Sequence, residues 1–219
     1  MTLGGHIVES TRAQVWAEIA GTFAGLSWGN PRTREEMARR LAPHDPYPVA
    51  LQMAAEQSNC AIMCGAALAE AGIDGTLARW RGRSPCDPLR EPRHGHFDSV
   101  ALLEQLAIER GARRAVGRER PEILPGSWVR IGGSTAEGGE AHVACVVGVE
   151  PDGTLLTVEG GKRDPGNPRQ GAKGCTSIER EVREIHPHAG GWWMRDAGAS
   201  GLGRRVAYWC WVGDLPTVG

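Results

Sequence analysis

Along the first half of the chain apolar positions recur at helical spacing; from residue 121 onward they alternate or gather into short runs. A period near 3.6 marks an amphipathic helix, whereas alternation or a short apolar run marks a strand. Val15, Ile19, Phe23 and Leu26 form a stripe with Trp16 beside it, predicting a first helix over residues 11–26 that ends at Gly25 and the Trp28-Gly29-Asn30-Pro31 turn. Thr33 and Glu36 have the spacing of a capping box, and Met37 and Leu41 mark one face of a short second helix. Pro43, Pro46 and Pro48 then interrupt the chain. Residues 61–71 are almost all good helix formers, and Gly72 follows where a left-handed C′ residue closes a helix. Asp98 is placed to cap a fourth helix over residues 99–109, with Val100, Leu103, Leu106 and Ala107 on one face and Gly111 at its end.

The second half reads as strands. Residues 125–131 are a turn into a strand, and residues 141–149 are apolar on both faces, as a central strand is. Pro151-Asp152-Gly153 is a hairpin turn, with Asp152 and Gly153 expected at its two central positions, and residues 154–159 return as the next strand. Residues 177–185 fit a strand or a short helix. Trp192-Trp193 and the alternating stretch 206–212 predict closing β segments. Helices first and antiparallel strands afterwards predict an α+β fold in a single domain over residues 1–219. Within it we expect a helical portion (1–50), a cysteine helix with an insertion (51–120) and an antiparallel sheet (121–219).

Composition narrows the choice of partners. The 219 residues are 41% hydrophobic and 23% charged with a formal net charge of −1. Nucleic acid and anionic membranes call for clustered excess positive charge, so neither is expected as a partner. No apolar run is long enough to span a bilayer, so no membrane insertion is expected. Residues 1–10 lack a basic segment followed by an apolar one, which predicts synthesis in the cytoplasm without a secretory signal and six cysteines that start out reduced. Cys86 and the His94-Gly95-His96 pair invite a zinc reading. However, zinc ligands come in regularly spaced pairs, so neither metal nor another cofactor is expected.

Two residues stand out chemically. Cys60 occupies the first turn of the 61–71 helix, where converging N–H groups and the helix dipole favour the thiolate, the nucleophilic form. His142 is the first polar residue of the central strand, and an imidazole of ordinary pKa suits a general base at neutral pH. A cysteine at a helix N-terminus followed by a histidine entering a sheet is the layout of papain-like cysteine hydrolases. A third residue should orient the imidazole. In a hairpin with a two-residue turn at Asp152-Gly153, Glu159 lies opposite Val146 and on the same face as His142, but four residues away, about 13 Å along the strand. A bulge or a wider turn is needed to close that gap. Asp164 is therefore a competing third member. Gln57, Ser58 and Asn59 are candidate donors to an oxyanion. Cys64, one turn beyond Cys60, reads as core, and Trp209 and Trp211 as half-buried positions of a strand.

Three segments carry a family likeness. "SNCAIMCGAALAEAGI" resembles the cysteine helix of the NlpC-type and CHAP amidohydrolase/peptidase superfamily. "PGSWVRI" resembles its Pro-Gly-Asp strand, with Ser127 in place of the usual aspartate. "EAHVACVVGVEPDGTLLTVEGG" resembles its histidine strand, turn and closing Glu-Gly-Asn, with Gly161 in place of the asparagine. The likeness covers residues 58–161 in patches, with an unmatched insertion over 74–120. A shorter likeness links the cysteine helix to amidase effectors of bacterial secretion systems. The resemblance implies a papain-like fold with Cys60 as nucleophile, His142 as base and Glu159 as orienting residue. It also implies hydrolysis of amide bonds in cell-wall peptidoglycan peptides. The lack of a secretory signal adds the expectation of a secreted toxin, a phage-type lysin or part of an injection particle, exported by a specialised system to the periplasm or a target cell, with an immunity or carrier protein as partner. The readings that compete with it are a cysteine hydrolase or acyltransferase acting on a protein or small amide, and a catalytically silent binding module.

Overall fold

The computed structural model describes residues 3–41, 59–73, 100–132, 141–162 and 177–216. They form a mixed helix and antiparallel-sheet fold, of the α+β class. The helices are α1 (Leu3–Gly21), α2 (Pro31–Leu41), α3 (Asn59–Glu70) and α4 (Val100–Glu109). The strands are β1 (Arg113–Ala115), β2 (Ser127–Ile131), β3 (His142–Val149), β4 (Leu155–Lys162), β5 (Ser177–His188), β6 (Gly191–Asp196) and β7 (Arg204–Trp211). Residues 177–188 are thus a strand, which settles the alternative the sequence left open.

The sheet order is β1-β7-β2-β3-β4-β5-β6, and β6 also pairs with β7, so strands β2 to β7 close into a six-stranded antiparallel barrel. Alternation along β3 divides the core in two. Val143 and Cys145 join the cluster that packs against the helices, while Ala144 and Val146 point into the barrel with Val129, Leu155, Met194 and Val206. Helix α3 lies on β3 and β4, and α1 crosses near β3.

Several local expectations change. The buried stripe of α1 is Ala13, Trp16, Ala17 and Ala20, with Val15 41% exposed. Trp16 is the centre of that face, because the alanines let the helix approach closely enough for its indole to meet Trp128 at 6.5 Å between ring centroids. Helix α1 ends at Gly21, so Phe23 and Leu26 are buried from the following turn. Helix α2 starts at Pro31, and Asn30 caps it by accepting from the Arg32 N–H at 3.0 Å; Thr33 Oγ1 instead binds the Ser27 backbone. Proline at the first helical position lacks the N–H that would go unused there. Helix α3 closes as expected: Gly72 has φ +64° and the Ile73 N–H reaches the Leu68 carbonyl at 2.9 Å. That is a Schellman motif. Asp98 lies outside the described residues.

The β3–β4 hairpin differs most consequentially. Its loop has three residues, not two: Glu150 and Thr154 close it by a 2.8 Å bond, Thr154 N–H binds Asp152 Oδ1 at 2.8 Å, and Gly153 takes φ +85°. A type I turn followed by a left-handed glycine has this form. Val149 then pairs with Leu155 and Gly148 with Leu156, but Val146 pairs with Thr157, so Val147 is an extra residue in β3. The loop and the bulge each move the register by one residue, in the same direction.

Candidate active site

Two single shifts leave the face unchanged and halve the separation. Carried one residue past the Cys145–Val158 pair, the register sets Glu159 across from Ala144, two residues from His142 rather than four. Diagonal cross-strand neighbours lie within reach of long side chains. His142 Nε2 and Glu159 Oε2 accordingly meet at 2.9 Å. Gly161, with φ +76°, lies at a second irregularity, between Glu159 and Lys162, in a conformation open chiefly to glycine and asparagine.

Cys60 reaches the same imidazole from the other core. It sits in the first turn of α3, 4% exposed, on the helix packed across β3 and β4, and its side chain is hydrogen-bonded to His142. With Nε2 held by Glu159, Nδ1 is the nitrogen left for the thiol. Burial opposes the charged imidazolium, but hydrogen bonds and charge from Cys60 and Glu159 outweigh it and lift His142 from 6.5 to about 9. That shift favours the protonated ring at neutral pH, a form that can donate a proton and, once it is given up, accept one.

Glu159 is fully buried. Burial favours its neutral form, yet hydrogen bonds and charge from His142 and Arg183 hold the carboxyl well below the usual carboxylate range. Arg183 donates to both oxygens, Nε to Oε1 and Nη2 to Oε2, each at 2.7 Å. Thr157 Oγ1 donates at 2.7 Å, and Lys162 Nζ lies 3.2 Å from Oε2. Arg183 also meets Asp196, its neighbour across β5 and β6. So many fixed donors leave the carboxylate little freedom, and it holds the imidazole in place.

The sequence did not single out Arg183. Its one signal was parity: on β5 it shares the inward face with Ile185, which packs on the barrel core, so a strand reading makes it a charge on an apolar face. Cys64 is fully buried and hydrogen-bonded to Cys145; burial, above all, raises its thiol well above the ordinary value. Trp209 and Trp211 are half-buried, and Trp211 Nε1 donates to the Pro125 carbonyl at 3.2 Å.

Of the remaining candidates, Asp164, Gln57 and Ser58 lie outside the described residues, as do Cys86, His94 and His96. Asn59 is described only as the first residue of α3. Among the described residues no group of three or more histidines, cysteines or carboxylates is arranged to hold a metal. No helix among them is long and apolar enough to cross a membrane. No protein-family model, curated protein or solved structure matches the chain.

Proposed function

We propose that the protein is a papain-like cysteine hydrolase that cleaves amide bonds in the peptides of bacterial cell-wall peptidoglycan. One observation supports the hydrolase reading above the rest: a single imidazole is shared between a thiol on a helix N-terminus and a buried carboxylate whose pKa is held well below the usual range. That is the arrangement by which a weak nucleophile is activated and its base kept in the required orientation. The choice of substrate rests on the motif likeness in the cysteine helix and the β3–β4 hairpin.

In the proposed reaction the Cys60 thiolate attacks the amide carbonyl. The negative charge that develops on its oxygen is stabilised at the N-terminal end of α3. His142, already protonated, gives its proton to the departing amine, leaving a thioester on Cys60. The neutral imidazole then takes a proton from water, whose hydroxide attacks the thioester and releases the acid and the thiol. Glu159 stabilises the imidazolium and sets the ring so that Nδ1 faces Cys60. Delivery of the enzyme as a toxin or phage-type lysin, with an immunity or carrier protein, belongs to the same proposal.

The test incubates purified protein and its Cys60→Ala variant with peptidoglycan sacculi and follows released fragments by mass spectrometry. New amino and carboxyl ends from the wild type alone are the expected result. Equal release by both proteins would remove Cys60 from the mechanism. No release from sacculi together with turnover of protein or small-molecule amides would reassign the substrate.

A further inference from the structure

A cleft of about 460 Å³ opens at the mouth of the barrel and ends on His142 and Glu159. Cys60 is not part of its wall, so the cleft lies on the histidine's side of the thiol–imidazole pair. In amide hydrolysis the departing amine must lie against the group that protonates it. The acyl half stays on the cysteine; the amine half belongs on the side of the histidine. The departing nitrogen lies at Nδ1 beside Cys60, and the cleft is placed for the part of the amine half that extends past the ring toward Glu159.

Its chemistry selects what that half carries. The floor is apolar, from Ile131 and Met194. The walls bear four cations, Lys162, Arg183, Arg195 and Arg204, against two carboxylates, Glu159 and Asp196. Three of the cations are engaged: Arg183 and Lys162 by Glu159, and Arg195 by Glu184 at 3.1 Å. Arg204 is exposed at the rim and has no carboxylate partner among the described residues. It is held there by the strands. Ile131 pairs with His142 on one side and Val206 on the other, and Arg204 precedes Val206 by two residues and pairs with Met194. Two strand spacings and two residues separate the His142 and Arg204 backbones by roughly 12 Å. A guanidinium presents paired donors that match a carboxylate.

We propose that this cleft is a leaving-group subsite and that Arg204 binds a free carboxylate on the amine half, so the substrates are amides of amino acids or short peptides that keep such a carboxylate. The proposal rests on the hydrolase reading for the word "leaving", but its binding part can be tested without catalysis.

The Cys60→Ala protein is titrated with alanyl-alanine and with alanyl-alanine amide while the backbone amides of Ala199 and Gly203 and the His142 ring are followed by NMR. The carboxylate form should shift these signals and bind about tenfold or more tightly than the amide, as loss of a charge-assisted pair implies. Arg204→Gln should remove that preference and Arg204→Lys restore part of it; an exposed position tolerates both. Equal affinity for the two peptides, a preference that survives in Arg204→Gln, or no binding of either would overturn the subsite. On the wild-type background, Arg204→Gln should raise KM about tenfold for amides with a carboxylate on the amine half and leave kcat and amidated substrates alone. Turnover that ignores the carboxylate would also overturn it. Carboxylate-dependent binding by a protein that hydrolyses no amide would support the subsite and sink the hydrolase reading instead.

Discussion

Cys60 and Cys64 sit one turn apart on the same helix, both buried, yet their surroundings differ in kind. Cys64 faces the interior of the helix–sheet interface and finds another thiol, Cys145. Cys60 faces the rim of the barrel and finds an imidazole with a carboxylate behind it. Cysteine in the first setting behaves as a small apolar side chain; in the second it is poised to react. The difference is made by the sheet, through the parity of β3. Odd positions such as Cys145 turn to the helices and even positions such as His142 turn to the barrel mouth, so one helix meets a dry face at one turn and an ionic rim at the next.

The largest expected effect separates the two thiols by activity. Cys60→Ala should lower hydrolysis on the order of 10⁴-fold or more, the scale seen when a member of such a unit is removed. Cys64→Ala should keep kcat/KM within about threefold and lower stability by about 1–2 kcal/mol through lost packing, measured by urea unfolding. Loss of activity in Cys64→Ala with an unchanged urea midpoint would erase the distinction.

Glu159 and Arg183 sharpen the ionic side. Glu159→Gln should take from Arg183 its buried counter-charge, leaving it only Asp196 at the exposed end, and cost about 3–5 kcal/mol. Adding Arg183→Met should recover most of that stability while activity stays low, because the imidazolium has still lost its counter-charge. Activity that returned with stability would mean that the pair acts only as a structural brace.

Protonation gives a subtler handle. A histidine raised from 6.5 to about 9 contributes stability that is complete below pH 6.5 and lost as pH rises toward 9. A glutamate held below its ordinary 4.5 contributes stability that is present above pH 4.5 and lost on acidification. Unfolding free energy should therefore be greatest between about pH 4.5 and 6.5, and the decline above pH 6.5, on the order of 1–3 kcal/mol, should vanish in His142→Ala. Catalysis should fall above about pH 9 as His142 loses the proton it gives to the amine. The smallest change belongs to the hairpin: Gly153→Ala, at φ +85°, should cost about 1 kcal/mol with little effect on kcat.

The barrel and the thiol–imidazole–carboxylate unit could be read unevenly from the chain. Cys60 and the strand entry at His142 are local features, and the face shared by Glu159 and His142 followed from counting. The distance between them did not, because it depends on two offsets: a third loop residue, and an extra one at Val147 that alternation alone does not reveal. Both offsets preserve parity together, which is why the face was right while the separation was twice too long. Arg183 was harder still. It pairs with Leu155, four residues from Glu159, and its side chain runs along the inside of a barrel whose closure by β6 and β7 has no local signature. The buried face of α1 departs from the predicted stripe for a different reason. Alanine is weakly hydrophobic, but it is small enough to let Trp16 into the core, and Val15 was left outside.

The central claim is that His142 activates Cys60 and leaves Cys64 alone. Iodoacetamide alkylation resolved by residue in a mass spectrometer, run from pH 5 to 9 on wild type and His142→Ala, tests it most directly. Cys60 should be alkylated at pH 6 much faster than Cys64, and His142→Ala should slow Cys60 by about tenfold or more at that pH without changing Cys64. Cys60 alkylation that rises only near the ordinary thiol pKa, about 8.5, and is the same with and without His142 would contradict it.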